Sequence, residues 1–427
     1  VFRGFDITVF DFKFGKFHHP WVRRLVDQGK MKRVYITPDT EEHGKAIDAT
    51  EEIYRFFQNT KLVQLCTALY QNQDIAINFK RIFVEDVFQC VYINHHLADV
   101  QNRANEDQQL LFYPIHYQVY EQIIKRCRNP YLKSIHKFKI SSCFSVAMTL
   151  IRRLEKFKFY AASIVYIFVQ SLFLNLGRFS KQKVQTKHYE NAVAVDYFGW
   201  QGVLTSERSS SFLFDNENIN QENTALIINC RLPQNWSEYY KKNGYNFLDS
   251  KKACAPMELA KLNYDKALLK EIFKTLFGML GQWNALTPLL RAFFINIKIY
   301  FDWNIISQRI RFTNYVFTNQ ECAQQSARNI FIRNHGGRSW SYAFCLGGGY
   351  LYAEDKEHLK EHRNVFWSFL DCDYYLGMND LAEEYYKLHN QRVKKYFSIG
   401  SIYSEMITKN CLRHTKEEFV EKHFGMK

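Results

Sequence analysis

A chain of 427 residues, 47% of them apolar, is long enough for two or three domains with a large core, which excludes wholesale disorder. The 57 Lys and Arg outnumber the 43 Asp and Glu, and the net charge of +14 suits polyanions such as nucleic acid, anionic lipid headgroups or nucleotide-linked substrates. Ten cysteines without a CxxC pair predict reduced core thiols in a reducing compartment and no zinc site.

The first 150 residues are predicted to form an α/β and helical region. A strand-like run over residues 33–37 precedes a helical pattern over residues 41–57, and residues 61–150 have mostly helical patterns. The chain starts at Val1 rather than Met and stops at Lys427 within a charged pattern. We therefore expect it to be a segment of a longer reading frame.

Residues 151–185 contain an apolar run with basic flanks. The 19 residues 159–177 carry no charge, which reaches the length of a membrane-spanning helix. Ser163 and Gln170 dilute the run, and Lys and Arg flank both of its ends, so no orientation across a bilayer is indicated. The pattern favours a helix that lies in the membrane interface and touches anionic headgroups, with a buried core helix or a true span as alternatives.

Residues 186–400 are predicted to form a second α/β region. Buried strands are expected at residues 192–198, 224–230 and 245–248, with a short helix at residues 236–242. Residues 257–312 have helical patterns, which we expect to be interrupted near Pro288 because proline breaks a helix interior.

Helices and strands alternate most clearly over residues 319–405. Helices are predicted over residues 320–329, 358–369 and 379–389, and strands over residues 339–344, 373–376 and 395–399. Strands separated by helices of this length form right-handed βαβ units on a parallel sheet. The predicted fold class is therefore α/β with a Rossmann-like parallel sheet and additional helical segments.

Ligands of such sheets bind at the carboxyl ends of the strands, so the three loops that follow strands are candidate binding sites. Their predicted substrate-binding residues are Gly347, Gly348, Gly349, Asn379, Gly400 and Ser401. The triple glycine lets a backbone approach an anion closely, or makes a tight turn. The last loop opens a helix, whose free N-terminal amides favour an anion.

Three further residues are candidates for catalysis or phosphate binding. Glu405 lies just after the last loop and is either a catalytic carboxylate or the capping-box partner of a serine. His335 and Arg338 flank two glycines. His335 is a possible general base and Arg338 a possible phosphate clamp, or both are parts of a plain turn. Because this turn precedes a strand, we expect it at the opposite edge of the sheet from the ligand crevice.

Two carboxylates, Asp371 and Asp373, flank Cys372 in a spacing like the metal-binding DxD motif of nucleotide-sugar enzymes. The second Asp runs directly into the apolar sequence Tyr374-Tyr375-Leu376. We interpret the pair as the start of a strand and predict no metal ligands.

Three segments of the chain resemble surface-polysaccharide biosynthesis proteins with the GT-B glycosyltransferase architecture. They are IRNHGGRSWSYAFCLGGGYLY, FWSFLDCDYYLGMNDLAEEYYKLH and KKYFSIGSIYSEMI. The resemblance implies that residues up to 400 form the acceptor-side half of such an enzyme, and that residues 401–427 begin a linker to a donor-binding half.

The resemblance also implies partners and a location. They are a nucleotide-sugar donor for the full-length protein, a glycan or lipid-linked acceptor, and a cytoplasmic position on the anionic inner face of a membrane. No cofactor is expected to bind this part of the protein. The second-ranked alternative is a basic nucleic-acid-binding or scaffold protein. It ranks lower because the aromatic residues mostly occupy apolar runs rather than alternating with Lys and Arg.

Overall fold

The computed structural model describes residues 7–12, 24, 27–36, 40–84, 87–88, 91, 165, 186–195, 220–229, 234–250, 266–278, 283–318, 324–342, 359–360, 363–365, 367–377, 379–390 and 392–400. The triple glycine 347–349, Ser401 and Glu405 lie outside these residues. So does the apolar segment 151–185, except for Val165, which is helical and exposed. Among the described residues, no helix combines the length and apolarity needed to cross a membrane.

The elements alternate between strands and helices along the chain. The strands are β1 (Ile7–Phe12), β2 (Met31–Ile36), β3 (Lys187–Val195), β4 (Thr224–Ile228), β5 (Asn246–Asp249), β6 (Ile310–Thr318), β7 (Arg338–Tyr342), β8 (Cys372–Gly377) and β9 (Val393–Ser398). The helices are α1 (Thr40–Phe57), α2 (Lys61–Leu69), α3 (Gln234–Lys242), α4 (Lys266–Gly278), α5 (Trp283–Arg309), α6 (Gln324–Asn334) and α7 (Asp380–His389). Residues 76–84 are also helical.

The central feature is a seven-stranded sheet in the order β5-β4-β3-β6-β7-β8-β9, in which every neighbouring pair is parallel. The chain moves outward from β3 to β5, returns through α4 and α5, and then moves outward from β6 in the other direction. This is the doubly wound order, with its switch point between β3 and β6. The predicted Rossmann-like α/β fold is confirmed. The strands β1 and β2 form a separate parallel pair.

Both faces of the large sheet are packed, which explains why the second half of β3 is buried on both sides. All five residues of β4 are buried. On one face, Val193, Leu226 and Val316 pack with Tyr240 of α3. On the other face, Ala192 and Tyr315 join a larger core that includes residues of α2, α5, α6 and α7. Helices on both faces are the consequence of the two directions of winding.

The N-terminal helices pack into the same core as the large sheet. Buried residues of α1 and α2 belong to one cluster with those of α5 and α6. The hydroxyl of Tyr70, just after α2, donates to the carbonyl of Asn296 at 2.9 Å, and the Asn334 amide donates to the Tyr70 carbonyl at 3.0 Å. Arg392 at the start of β9 pairs with Asp74.

Several predicted elements differ from the structure. The helix α5 runs through Pro288 without a break, because Pro288 lies in its second turn and the lost hydrogen bond is offset by burial of Leu289, Leu290 and Phe293. β6 begins at Ile310, where a helical pattern was expected. Residues 363–365 and 367–370 are not helical, although a helix was predicted over residues 358–369. The side chain of Asn390 and backbone turns hold that segment instead.

Candidate functional site

The carboxyl edge of the sheet brings two of the three predicted loops together. β8 ends at Gly377 and β9 ends at Ser398, and the amide of Ile399 donates to the carbonyl of Gly377 at 2.9 Å. Asn379 and Gly400 follow these strand ends directly, so they lie at one edge, as predicted. The third loop, at residues 347–349, follows the carboxyl end of β7 in the sequence and lies outside the described residues.

Asn379 stabilises the start of a helix at this edge. Its side-chain oxygen accepts from the amide of Ala382 at 2.9 Å, so it caps the N-terminus of α7. Asp380 and Glu383 lie in the first turn of the helix and complement its positive end. An anionic ligand would meet these carboxylates, so the start of α7 is not suited to a phosphate. The role of Asn379 in substrate binding stays a prediction.

Two glycines shape the backbone here. At Gly377, a Cβ atom would lie 1.6 Å from the Tyr396 hydroxyl oxygen, because the ring of Tyr396 crosses the end of β8 to donate to the carbonyl of Asn379 at 2.9 Å. Gly400 has φ +81°, a conformation that favours glycine. The edge therefore requires glycine for packing at Gly377 and for backbone conformation at Gly400.

The switch point between β3 and β6 holds polar groups that the sequence patterns did not single out. Asn229 follows β4, and its backbone amide donates to the carbonyl of Val195 at 2.9 Å. Its side-chain amide donates to the hydroxyl of Tyr315 at 3.3 Å. Tyr315 belongs to β6, so its ring reaches past β3, where Ala192 and Ala194 leave room. The signal available in the sequence was an amide immediately after a buried apolar strand.

A buried cation lies beneath the same switch point. Arg328 of α6 is 5% exposed, and its guanidinium carbon lies 4.8 Å from the ring centroid of Tyr315 and 4.6 Å from that of Phe317. The ring of Trp303 from α5 is 5.9 Å away. Cation–π contacts with three rings fix the charge in a low-dielectric environment. Chemically, the switch point offers the half-buried amide of Asn229 above the positive field of Arg328, which suits the orientation of a polar or anionic ligand.

The amino edge of the sheet carries the other two predicted residues. His335 follows α6, and its ring stacks on Phe331 at 4.0 Å while its Nδ1 donates to the Phe331 carbonyl at 2.8 Å. Arg338 opens β7 and is exposed. A five-residue strand is roughly 15 Å long. His335 and Arg338 therefore lie at the opposite edge from Asn379 and Gly400, as predicted, and the two pairs do not share one crevice.

The DxD-like carboxylates form a structural ion cluster. Arg333 of α6 donates through its Nη2 to Asp371 at 2.5 Å and through its Nε to Asp373 at 3.0 Å. Lys394 of β9 lies 2.6 Å from Asp373, and the amide and hydroxyl of Ser339 donate to the other Asp373 oxygen at 2.9 and 3.0 Å. No group of acidic, His or Cys side chains among the described residues is arranged to hold a metal ion. The interpretation as a strand start is confirmed.

The two carboxylates of this cluster have opposite pKa shifts. Burial raises the pKa of Asp371, and the opposing effect of Arg333 does not cancel it. Burial acts in the same direction on Asp373, but hydrogen bonds from Lys394 and Ser339, together with the charge of Arg333, bring its pKa below the usual value. The partners therefore stabilise the charged form of Asp373, whereas at Asp371 they offset only part of the cost of burial.

Aromatic residues form a ladder on the sheet face that is opposite to α6. Trp340 stacks on Tyr374 with ring centroids 4.1 Å apart, and Phe397 lies 6.1 Å from Trp340. Lys395 lies over the ring of Phe397 at 4.9 Å, and the Trp340 indole donates to Asn314 at 3.1 Å. The stacking covers one face of Trp340 and one face of Tyr374, and all three rings are half-buried. The nucleic-acid alternative stays untested by this arrangement.

Comparison with known proteins assigns neither a family nor a function to this site. No protein-family model matches the chain, and no curated protein or solved structure matches it significantly. The description of the fold as Rossmann-like therefore rests on the order and direction of its strands.

Proposed function

We propose that this chain is the acceptor-side half of a GT-B glycosyltransferase in surface-polysaccharide biosynthesis. The observation that carries the proposal is the seven-stranded parallel sheet with its switch point between β3 and β6, because one Rossmann-like unit of this kind is what an acceptor-side half requires. The segments around β7, β8 and β9 resemble GT-B glycosyltransferases, and this resemblance is the basis for proposing sugar transfer. A nucleotide-sugar donor is held chiefly by a second half of the protein.

In this proposal, the acceptor lies at the carboxyl edge of the sheet. Asn229 and the field of Arg328 orient its polar groups, and the loops at Gly347–Gly349 and Gly400 border it. Transfer requires a base that accepts the proton of the acceptor hydroxyl as the sugar leaves its nucleotide, and Glu405 is the candidate of this chain. Because His335 and Arg338 lie at the opposite edge of the sheet, this proposal gives them no part in acceptor binding.

The apolar segment 159–177 belongs to the same proposal. Its basic flanks suit an anionic inner membrane face, where a lipid-linked acceptor would be presented. The protein then works as a peripheral or monotopic enzyme that receives its donor from the cytoplasm.

The experiment uses the product of the full reading frame and a panel of nucleotide sugars, with binding measured by calorimetry and transfer measured on a lipid-linked acceptor. Asn229→Ala is expected to raise the KM for the acceptor about tenfold or more, because one or two oriented hydrogen bonds are lost. The affinity for the donor is expected to stay unchanged. Arg338→Ala is the matched control, because it removes an exposed side chain from the opposite edge of the same sheet.

The proposal fails if the full-length protein binds no nucleotide sugar. It also fails if the 427-residue chain alone transfers sugar, since one half would then suffice. Tight binding of RNA without binding of any nucleotide sugar would instead establish the nucleic-acid alternative.

A further inference from the structure

One face of the sheet lacks a covering helix over β7, β8 and β9 in the described part of the chain. α3 packs on this face over the central strands, where Tyr240 belongs to a cluster with Val316. The buried residues of the other described helices belong to the larger core on the opposite face. On the uncovered half, Trp340, Tyr374 and Phe397 are half-buried. This half of the face therefore presents aromatic surface that no described helix covers.

Polar and aromatic side chains link four neighbouring strands on this face. The Asn314 amide of β6 donates to the side-chain oxygen of Asn191 on β3 at 3.2 Å, and the Trp340 indole of β7 donates to the side-chain oxygen of Asn314 at 3.1 Å. Trp340 in turn stacks on Tyr374 of β8 with ring centroids 4.1 Å apart. We call Asn314, Trp340, Tyr374 and Phe397 the aromatic strip. Its side chains hold one another in place, so the strip is a preformed surface.

The indole of Trp340 has one ring face toward β8 and one toward β6. Tyr374 covers the first face, and Phe397 is the other ring in contact, with centroids 6.1 Å apart. On the β6 side the register partner is Val316, whose side chain is much shorter than an indole. A planar ring can stack there on the exposed part of the indole, beside the amide of Asn314. Stacking on aromatic side chains is how proteins hold unpaired nucleobases.

Three exposed cations lie on the same face. Side chains alternate between the two faces along a strand, so Arg338 lies on the side of Trp340, and Lys395 lies on the side of Phe397. Lys187, at the start of β3, faces the same way by the same alternation. In the part of the chain that the structure describes, none of the three is in an ion pair, and no Asp or Glu of β3 or β6–β9 lies on this face. The surface is therefore positive without compensation, which suits a polyanion.

Aromatic and basic residues alternate here across the strands rather than along one segment. The register places Trp340 beside Tyr374, and Tyr374 beside Lys395. Each strand contributes one or two of these residues, so no single run of the sequence has the alternation that is typical of a stacking surface. The fold assembles the surface from strands that are far apart in the chain.

We propose that the aromatic strip and the three cations form a binding surface for single-stranded nucleic acid. The bases stack on Trp340 and along the strip, and the cations neutralise phosphates. A duplex suits this surface poorly, because its bases are stacked on one another and present only their edges. The inference is independent of the proposed sugar transfer, which uses the carboxyl edge of the sheet.

Fluorescence anisotropy on the full chain tests the surface with labelled single strands of about 12 nucleotides, one of oligouridine and one of oligothymidine. Three neutralised phosphates predict a slope of about −2 for log K against log salt concentration, since each contributes roughly −0.7 in single strands. Either strand is expected to bind, because stacking and phosphate contacts do not require a 2′-hydroxyl. A duplex of the same length is expected to bind about tenfold more weakly or less, because it offers no base for stacking.

The double variant Arg338→Ala/Lys395→Ala separates this surface from the general positive charge of the chain. One cation remains, so the salt slope is expected to fall to about −0.7. Lys270→Ala/Lys274→Ala is the matched control, because it removes the same charge from exposed positions on α4. The control is expected to keep the slope and the affinity of the parent.

Trp340→Leu tests the stacking. It keeps an apolar side chain and removes the ring, so single-strand binding is expected to weaken roughly tenfold while the salt slope stays unchanged. Tryptophan fluorescence of the parent is expected to be quenched on binding, and the quenching is expected to be smaller in Trp340→Leu. If this variant does not fold, the variants of the exposed cations decide.

Three results of these measurements overturn the proposal. They are the absence of binding to either single strand at low salt, equal affinity for the duplex and the single strands, and equal losses in the cation variant and its α4 control. Binding to vesicles that contain anionic lipid, together with no binding to either single strand, also overturns it and identifies a membrane surface as the partner instead.

Discussion

Gly377 ends β8 without a side chain, and its neighbour on β9 occupies the space that a side chain would need. A Cβ atom there would lie 1.6 Å from the hydroxyl oxygen of Tyr396 and 2.1 Å from its Cζ atom. Gly377→Ala is therefore expected to displace the ring and to lower the free energy of unfolding by about 1–3 kcal/mol, the range for overpacked sites. Urea denaturation monitored by circular dichroism measures the change.

Gly44 provides the matched control at the same scale. It lies within α1, and a Cβ atom there would meet nothing within 4 Å. Gly44→Ala is expected to raise the free energy of unfolding by roughly 0.5–1 kcal/mol, because alanine loses less backbone entropy in a helix. The two Gly→Ala substitutions are expected to change the free energy of unfolding in opposite directions, which separates the effect of packing from that of conformational entropy. A stabilising Gly377→Ala would contradict the packing argument.

At the scale of elements, the ion cluster around Asp371 and Asp373 ties α6, β7, β8 and β9 together. The Arg333 side chain is 24% exposed, whereas those of Asp371 and Asp373 are 1% and 6% exposed. Arg333→Met leaves buried Asp371 without its ion-pair partner and removes one of the partners of Asp373. The change is expected to cost about 3–5 kcal/mol of stability, as when one partner of a buried ion pair is removed. The measurement is the denaturant midpoint and slope for the parent and the variant.

Lys394→Met is the control for this cluster. The Lys394 side chain is 58% exposed, so its ion pair with Asp373 is screened by water and is expected to contribute about 0–1 kcal/mol. Equal losses for the two variants would show that burial does not govern the strength of these pairs. That result would remove the physical basis for expecting Arg333 to contribute more to stability than Lys394.

At the scale of the whole molecule, the N-terminal helices and the large sheet form one packed core. Tyr70 is 1% exposed, and its ring lies 5.5 Å from that of Tyr300 on α5 while its hydroxyl reaches the carbonyl of Asn296. Tyr70→Ala is expected to destabilise the chain by about 3–5 kcal/mol, the cost of removing a buried aromatic ring. Because the core is shared, far-UV dichroism and tryptophan fluorescence should report one common transition, shifted equally.

Leu388→Ala is the comparison for this prediction. Leu388 is 44% exposed on α7, and its truncation is expected to change stability by less than about 0.5 kcal/mol. If the two probes separate in the Tyr70→Ala variant, the helices and the sheet unfold independently. The description of one continuous core would then be wrong.

The amino-acid sequence determined the α/β class and most of the element types through local periodicity. The strand at residues 224–228 and the helix that follows Asn379 were predicted because the burial of a strand and the periodicity of a helix depend on neighbouring residues. The placement of His335 and Arg338 opposite Asn379 and Gly400 also followed, since a residue before a parallel strand and a residue after one lie at opposite edges.

Only the tertiary structure decided the order of the strands and the partners of the buried polar groups. The contacts of Tyr315 with Asn229 and of Arg333 with Asp371 join residues 86 and 38 positions apart, and no local pattern encodes such distances. Pro288 within α5 shows the same principle, because tertiary burial of the surrounding residues outweighs a local helix-breaking preference. Local patterns set which segments are strands and helices, whereas packing free energy summed over the whole core sets which of them meet.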